Sequence, residues 1–348
     1  MPISLYSIEE CEKSAKNASL RYVNDLTPGI SRKRHGKGFA FYYADGSRVT
    51  DKNELKRIKA LAIPPAYNKV WICPYPNGHI QATGMDNKNR KQYRYHPLWH
   101  EVRQQQKFHT MIHFGRAIDS IRAHVSKELS QPPTLNKTQI ICAILYLLDK
   151  SCIRIGNSVY AKTNKTYGLT TLRKKHLSIE ENKAVLDFEG KNSKLWHINI
   201  KDKKILRVLR KCEEIPGYEL FKYRDETNAL NIVTSQEINA YLQELTNHPF
   251  TAKDFRTWIA SRETFLRLLE LSYIENDPPA GLKDIILEVS NQLGHTPKIC
   301  QKNYIYPLIV SWWQEGKLEK WKTTNAKKIL NLDEDNLFLL WLAAFESA

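Results

Sequence analysis

The chain has 348 residues, 42% of them hydrophobic, which is enough for one large core or, more readily, two domains. It carries 53 Lys and Arg against 37 Asp and Glu, a net charge of +16 that favours a polyanionic partner. The N-terminus lacks an apolar signal core, and the longest apolar run, Leu337 to Phe345, is too short to span a bilayer. With no lipidation motif or basic amphipathic anchor visible either, we expect no membrane partner.

The six cysteines bear on the cellular compartment of the protein and on whether it binds a metal ion. They form no CxxC pair, and none has a histidine at zinc-ligand spacing. We therefore expect reduced, mostly buried thiols in a cytoplasmic protein. We expect neither a metal ion nor another cofactor.

The first hundred residues are basic and strand-like, with 17 Lys and Arg against 8 Asp and Glu. The stretch Phe39–Val49 alternates around Asp45 and Gly46, which predicts a hairpin. Asp51 is placed to cap a short helix that ends near Ala62. Further strands are predicted at KVWICPY, GHIQATGMD and KQYRYH. The sequence thus predicts a small β-rich domain at residues 1–103.

From residue 104 onward the pattern is mostly helical. Helices are predicted at Leu135–Asp149, Ile238–Leu245, Thr251–Ile274, Leu282–Leu293 and Pro297–Trp313, with a loop at residues 276–279 and a packed C-terminal helix. Thr251 with Asp254 resembles a capping box. A strand pair, AVLDFEG and KLWHINI, interrupts the helices around Gly190 to Ser193. We expect an α+β chain whose larger, mostly α-helical domain covers residues 104–348.

Two basic segments are candidates for phosphate contact. The segment SRKRHGKG holds Arg32, Lys33 and Arg34, and it is either a solvated loop or a phosphate-binding segment. In SCIRIGNSVY, Arg154 lies in apolar surroundings at the end of a predicted buried helix. A buried arginine is seldom unpaired, so its partner is either a carboxylate or a phosphate.

A third candidate is the strand segment KNRKQYRYH. Strand alternation places Gln92 on one face and Tyr93 and Tyr95 on the other. These tyrosines either pack on a core or help to present the strand to a groove of DNA. Lys191, at the tip of the predicted hairpin, is an exposed turn lysine when it is considered alone.

The stretch LGHTPKICQKNYIYP places Tyr304 nine residues after His295, with no acid between them. A free tyrosine has a pKa of about 10 and is a poor nucleophile, but nearby cations stabilise a phenolate and attract a phosphate. Attack on a phosphodiester also needs donors for the phosphate oxygens and an acid for the leaving oxygen. Arg256, near the start of an amphipathic helix, is either a surface residue or such a donor.

Taken in order, these motifs resemble the type IB DNA topoisomerases of poxviruses and bacteria, over most of the chain up to about Trp313. The catalytic set implied by the resemblance is Arg154 in IRIGN, Lys191 in FEGKNS, Arg256 in KDFRTWIAS, His295 in LGHTP and Tyr304 in KNYIYP. The segment Tyr160–Leu177 is similar to the one between the first arginine and the lysine. The strand QYRYH resembles the one with which poxvirus enzymes touch the major groove. The predicted DNA contacts are Gln92, Tyr93, Tyr95, Tyr160, Lys253, Arg32, Lys33 and Arg34.

The resemblance implies a mechanism for relaxing supercoiled duplex DNA without ATP or metal. Tyr304 attacks a backbone phosphorus, forms a 3′-phosphotyrosyl bond and releases a 5′-hydroxyl strand. Two arginines and His295 hold the phosphate oxygens, and Lys191 protonates the leaving oxygen. After strand rotation the 5′-hydroxyl reseals the nick. The resemblance further implies a monomer that clamps double-stranded DNA between its two domains, in the bacterial nucleoid or, for a virus, in the virion or host cytoplasm.

Two alternatives remain at this stage. A tyrosine recombinase uses a similar residue set, but it usually carries a histidine where this chain has Lys253, and its N-terminal domains are usually helical. A DNA-binding protein without catalysis could retain the same fold. Tyr306 is also a rival nucleophile by its position, although the histidine spacing and the following proline favour Tyr304.

Overall fold

The computed structural model describes residues 8–271 and 280–344. The chain divides into two compact units, Met1–Lys107 and Phe108–Ala348, which we call the N-terminal unit and the C-terminal unit. The long helix α3, Pro97–Ser130, contains the division between them. The predicted loop at residues 276–279 and the predicted helix end at Ile274 lie outside the described residues.

The N-terminal unit is built on a five-stranded antiparallel sheet in the order β2-β1-β3-β4-β5. The strands are β1 (Ile30–His35), β2 (Gly38–Tyr42), β3 (Asn68–Ile72), β4 (Ile80–Met85) and β5 (Lys91–Tyr95), and the helices are α1 (Ile8–Asn17) and α2 (Lys52–Ala60). Ile30, Ile72 and Ala82 point to one face of the sheet, where they form a core with Ile58 of α2. The Asp51 carboxylate caps α2 by accepting from the Glu54 N–H at 2.7 Å, as the sequence predicts.

The predicted turn at Asp45 and Gly46 is confirmed, and it closes a short antiparallel pairing in which Tyr42 bridges Arg48 and the Val49 N–H donates to the Phe41 carbonyl at 2.9 Å. The longer pairing of β2 is with β1, around a turn at Gly36 and Lys37 that the sequence analysis did not predict. The segment SRKRHGKG is therefore largely a strand, not a loop. Its run of polar side chains hides the strand from a hydrophobic pattern.

The C-terminal unit is mainly helical. Its helices after α3 are α4 (Lys137–Ser151), α5 (Ser158–Asn164), α6 (Lys203–Glu214), α7 (Ser235–Thr246), α8 (Ala252–Glu270), α9 (Ala280–Leu293), α10 (Pro297–Asn303), α11 (Pro307–Gln314), α12 (Lys317–Thr324), α13 (Ala326–Ile329) and α14 (Glu334–Ala343). Short strands form a three-stranded sheet, β6 (Leu177–Ile179), β7 (Ala184–Gly190) and β8 (Lys194–Ile200), and a pair, β9 (Lys222–Arg224) and β10 (Leu230–Ile232). The predicted strand pair is confirmed as β7 and β8, which are antiparallel.

Helix α8 lies in the middle of this unit's core, with Phe255, Trp258 and Phe265 fully enclosed. The predicted capping box at its start is confirmed. The Asp254 carboxylate accepts from both the N–H and the hydroxyl of Thr251, each at 2.8 Å. This cap fixes where α8 begins, and therefore where its first-turn side chains emerge.

The single helix predicted over Pro297–Trp313 was wrong. It is two helices, α10 and α11, with Tyr304 as the C-cap of the first and Pro307 as the first residue of the second. Proline has no N–H, and its ring would collide with the carbonyl four residues earlier, so a continuous helix through Pro307 is disfavoured. The break matters because it takes Tyr304 out of regular helix.

Candidate active site

A cavity of about 290 Å³ opens in the C-terminal unit, and five of the residues on its wall are Arg154, Lys191, Lys253, Arg256 and Tyr304. These residues come from segments that are widely separated in the sequence. Four of them are cations and the fifth is a phenol. The cavity therefore has the charge expected of a site for a phosphate group.

Arg256 projects from the second turn of α8 and is 3% exposed. Its Nη1 donates to the Cys152 carbonyl at the C-cap of α4, and its Nη2 donates to the Leu293 carbonyl at the end of α9, at 2.7 Å. Helix C-termini present unpaired carbonyls with partial negative charge. Arg256 is thus held in place by main-chain carbonyls, which leave it positively charged.

Arg154 and His295 are brought together by the end of α9. Gly294, in the left-handed region at φ +64°, ends the helix, and the His295 N–H returns to the Ser290 carbonyl at 2.9 Å. Arg154 Nη2 donates to the Gly294 carbonyl at 3.1 Å and lies 3.0 Å from Nε2 of His295. The same helix end therefore orients both arginines and the histidine.

Two donors of these arginines are buried without a hydrogen-bond partner in the part of the chain that the structure describes: Nη1 of Arg154 and Nε of Arg256. A buried unpaired donor costs about 1–3 kcal/mol. Such groups are rare in folded proteins, and they point to a ligand that would pair with them. An anion with several oxygens fits these donors.

The backbone around Arg154 is held by part of the segment Tyr160–Leu177, for which the sequence analysis predicted no contact with Arg154. Leu169 N–H donates to the Arg154 carbonyl at 3.0 Å, and Thr170 N–H donates to the Ile155 carbonyl at 2.7 Å. A Cβ built on Gly168 would lie 2.6 Å from both the Arg154 carbonyl oxygen and the Gly156 Cα. The two chain segments approach this closely only because both positions are glycine, and nothing in the sequence pairs them.

We expect Gly168→Ala to lower both stability and the DNA cleavage that the resemblance implies, because the added methyl must push the segment away from Arg154. Overpacking of this kind costs about 1–3 kcal/mol. Thermal unfolding and the rate of covalent attachment to DNA measure the two effects. Gly38→Ala is the matched control, since its Cβ would meet only the His35 carbonyl at 4.0 Å. An unchanged cleavage rate for Gly168→Ala would contradict the role assigned to this close approach.

Lys191 lies in the three-residue turn between β7 and β8, and its side chain is exposed. The turn is tight because Asn192 and Ser193 both adopt positive φ. Lys194, the next residue, donates to the Asn291 carbonyl of α9 at 2.5 Å. The hairpin tip is therefore tied to the helix that also places His295.

Tyr304 and the rival Tyr306 have opposite surroundings. The Tyr304 ring lies 4.7 Å from the His295 ring, 5.4 Å from the Arg256 guanidinium and 6.0 Å from the Lys253 ammonium. Tyr306 packs on Phe108 at 4.7 Å, and burial raises the pKa of its phenol. Tyr304 thus faces the cations, whereas Tyr306 belongs to the aromatic core.

The positive charge of the cavity contributes to lowered pKa values of two groups, His295 and Arg154. Burial, with the charges of Arg154, Arg256, Lys191 and Lys253, lowers the pKa of His295 to about 4. Burial and the neighbouring Arg256 lower the pKa of Arg154 to about 10. His295 is therefore neutral at neutral pH in the free protein, because another positive charge in this cavity is unfavourable.

The basic residues predicted as DNA contacts on β1 have different surroundings. The Arg32 guanidinium donates to the carbonyls of Ile63, Pro64 and Tyr67 at 2.6 to 3.2 Å and stacks on a ring in β2. Arg32 therefore links β1 to the segment before β3, within the N-terminal unit. Lys33 and Arg34 are exposed, with the Lys33 ammonium 5.0 Å from the ring centre of Tyr42.

On β5, Tyr93 and Tyr95 are stacked at 5.8 Å on one face of the sheet. Gln92 points to the other face, as strand alternation predicts, and its Nε2 donates to the Asp86 carboxylate at 3.0 Å. The side chain of Tyr160, in α5, lies outside the described part of the structure. Lys253, predicted as a DNA contact, lies on the wall of the cavity that Arg154, Arg256 and Tyr304 also line.

Within residues 8–271 and 280–344, no group of three or more His, Cys, Asp or Glu side chains is placed to hold a metal ion. None of the helices over the same residues combines the length and apolar character needed to cross a membrane.

Known protein families match both parts of the chain. Residues 90–328 match the catalytic core of eukaryotic DNA topoisomerase I, and residues 38–86 match the N-terminal domain of bacterial DNA topoisomerase IB. DNA topoisomerase 1B of Acanthamoeba polyphaga mimivirus is 31% identical over 302 residues, which are 84% of this chain and 89% of that protein. The chain belongs to the type IB DNA topoisomerase family. Membership decides against the tyrosine recombinase alternative, and this topoisomerase has the β-rich and mostly helical parts that the sequence predicts.

More distant relatives of this topoisomerase differ in how much of their length is shared. DNA topoisomerase 1B of vaccinia virus (strain Copenhagen) is 24% identical over 294 residues, covering 78% of this chain and 88% of the viral protein. DNA topoisomerase 1 of Drosophila melanogaster is 28% identical over 187 residues, or 52% of this chain and 18% of the insect protein. The similarity to the viral proteins therefore extends over nearly their whole length.

Proposed function

We propose that this topoisomerase relaxes supercoiled duplex DNA through a covalent 3′-phosphotyrosyl intermediate on Tyr304. The single observation that carries this assignment is the position of the phenol, beside His295 and among Arg256 and Lys253, on the wall of a cavity whose lining, over the described residues, includes no Asp or Glu. Nearby cations stabilise a developing phenolate. The same cations attract the phosphodiester that the phenolate attacks.

The scissile phosphate would occupy the cavity between the two arginines. Their buried unpaired donors, Nη1 of Arg154 and Nε of Arg256, are available to its non-bridging oxygens. His295, whose pKa is held near 4 by burial and by the surrounding cations, donates to the phosphate from a ring nitrogen. Donors fixed before the reaction stabilise the charge that develops in the transition state, which is the main electrostatic means of catalysis.

Lys191 is proposed as the general acid. Tyr304 gives its phenolic proton to solvent water as its oxygen bonds to phosphorus, while the bond to the 5′ oxygen breaks and that oxygen takes a proton from Lys191. The free strand rotates, and the 5′-hydroxyl then returns a proton to Lys191 as it attacks the phosphotyrosine. This restores the phosphodiester and releases the Tyr304 phenolate, which takes a proton from solvent. Because the bond energy is conserved in the intermediate, the cycle needs no ATP. The place of Lys191 on a hairpin tip at the cavity wall supports this role.

We further propose that the chain acts as a monomer that holds double-stranded DNA with both units. In the N-terminal unit the proposed contacts are Gln92, Tyr93, Tyr95, Lys33 and Arg34, and in the C-terminal unit they are Tyr160 and Lys253. Arg32 is left out, because its donors are used within the protein. We place the activity in the cytoplasm, at the nucleoid of a bacterium or, for a virus, in the virion or host cytoplasm.

The test of this function is relaxation of a negatively supercoiled plasmid by the purified chain in EDTA and without ATP. We expect complete relaxation, with a denaturant-trapped species in which the protein is attached to a 3′ DNA end. Mass spectrometry of the trapped peptide should locate the bond at Tyr304. Attachment to a 5′ end, or relaxation only with ATP, would contradict the proposed chemistry.

The histidine predicts a pH dependence of DNA binding. A bound phosphate should raise the pKa of His295 from about 4 toward its ordinary value near 6.5, so binding takes up a proton in acid. Affinity for duplex DNA should therefore rise by about tenfold between pH 7.5 and pH 5.5. In the protein without DNA, His295 has the opposite effect on folding stability. Its contribution to stability is lost as the pH falls below 6.5, because the histidine binds a proton more tightly in the unfolded chain than in the folded one.

Duplex affinity measured at fixed ionic strength, with Tyr304→Phe protein to prevent cleavage, checks this expectation. The same titration with an added His295→Gln change separates this histidine from the others. The duplex affinity of this double variant should lack the rise of about tenfold between pH 7.5 and pH 5.5. Equal pH profiles for the two proteins would show that His295 does not take up the proton.

A further inference from the structure

Helix α14 follows the region that matches the catalytic core, which ends at residue 328. It is nevertheless packed into the C-terminal unit, with Phe338, Trp341 and Leu342 fully buried. The chemistry described above uses none of its residues. Two contact points, one near each end of α14, lead to the elements that carry the reacting groups.

The first contact point is Asp335, whose side chain is 12% exposed. One carboxylate oxygen accepts from Trp258 Nε1 at 2.5 Å and from Arg262 Nη1 at 2.8 Å, both on α8. The other oxygen accepts from Arg122 Nη1 of α3 at 2.6 Å. Arg122 also pairs with both oxygens of Asp149 in α4, at 2.9 Å each. One carboxylate thus connects α14 to α8 and α3, and through Arg122 to α4.

The second contact point is Trp341. Its ring lies 5.1 Å from Phe265 of α8 and 6.1 Å from Tyr306. Trp258, Arg262 and Phe265 are spaced i, i+4 and i+7, so they share one face of α8. Helix α14 therefore packs against α8 along two turns. Through Trp341 it also contacts Tyr306, two residues after Tyr304.

Helix α8 carries Arg256 and also holds the nucleophile segment. Ser261, fully buried, donates its hydroxyl to the Tyr304 carbonyl at 2.8 Å and accepts from the Tyr306 N–H at 3.0 Å. The position of Tyr304 relative to Arg256 therefore depends on α8 and on the elements that pack against α8, α14 among them. Both contacts of α14 bear on that geometry.

We propose that Asp335 is a positioning residue for DNA cleavage, which fixes α14 on α8 so that Tyr304 is held in line with the phosphate bound by Arg256. This inference rests on the proposed function. The carboxylate lies between Arg122 and Arg262, and removing its charge takes away one ion pair between α14 and each of these arginines. A displacement of about 1 Å at a reacting group can lower a rate by about 10²-fold.

Asp335→Asn tests the proposal on a duplex with a cleavage site mapped by the wild-type chain, truncated so that the 5′-hydroxyl strand dissociates. Single-turnover cleavage then gives a rate constant and an amplitude, at a temperature well below the unfolding midpoint. We expect a rate constant at least tenfold lower, full amplitude, and a duplex Kd within twofold of the wild type. A merely structural role would lower the amplitude, because fewer molecules are folded, and would leave the rate constant unchanged.

Asp333→Asn is the matched control. Asp333 caps the same helix through the Asn336 N–H, and asparagine is an equally good cap, so this change removes one charge two residues away and keeps the helix start. We expect wild-type rate and amplitude. Should Asp335→Asn fail to fold, Asp335→Glu keeps the charge and moves the carboxylate by one methylene. It should then show the same loss of rate at full amplitude.

A wild-type rate constant in a folded Asp335 variant would overturn the proposal, and so would a loss confined to amplitude. A wild-type chain that forms no adduct at Tyr304 would instead contradict the proposed function. The two failures are therefore distinguishable in the same experiment.

Discussion

Tyr304→Phe is expected to abolish plasmid relaxation and covalent attachment to DNA, with duplex affinity unchanged. Phenylalanine retains the ring that lies 4.7 Å from His295 and 5.4 Å from the Arg256 guanidinium, so the surrounding packing is preserved. Only the nucleophilic oxygen is removed. Among the described residues of the cavity wall, Tyr167 is the one other tyrosine, and its ring packs against that of His176 at 4.4 Å.

The measurements are relaxation in EDTA, denaturant-trapped adduct and duplex Kd, for wild type and variant side by side. Tyr306→Phe is the matched control, since its ring packs on Phe108 and Trp341 and burial raises its phenol pKa. It should relax plasmid at nearly the wild-type rate. Relaxation by Tyr304→Phe would assign the nucleophile elsewhere, with Tyr306 and then Tyr167 examined next.

Arg256→Lys is expected to lower the cleavage rate constant by about 10²- to 10³-fold, the usual cost of losing one transition-state donor. The guanidinium uses two nitrogens to bond the Cys152 and Leu293 carbonyls, and its Nε remains unpaired for the phosphate. A lysine offers a single ammonium, which cannot span both helix ends and reach a ligand as well. Conserving the charge should therefore rescue little of the activity.

Single-turnover cleavage checks this prediction, with the unfolding midpoint recorded because unpaired carbonyls cost about 1–3 kcal/mol in stability. Arg267→Lys is the matched control. Arg267 lies on the same helix but in its last turn, far from Arg256, and its guanidinium pairs with the exposed Glu288 carboxylate of α9. It should stay within twofold of wild type. A similar result for Arg256→Lys would show that only the charge matters at this position.

Much of the fold follows from local pattern. The cap at Asp51, the capping box at Thr251 and the pairing of β7 with β8 were all predicted, because each depends on residues close together in the sequence. The errors have local causes too. Strand β1 is too polar to be found by hydrophobic alternation, and the apolar residues on both sides of Pro307 mask the helix break that the proline causes.

The sequence by itself determined the candidate set: a basic chain, five residues in the order of the family's catalytic set, and a histidine and tyrosine nine residues apart. It could not determine how those side chains are held. Only the tertiary structure places Arg256 on two helix ends, Tyr306 in the aromatic core and Gly168 against Arg154. These are contacts between segments far apart along the chain, and no periodicity or spacing in one segment specifies which distant backbone it will meet.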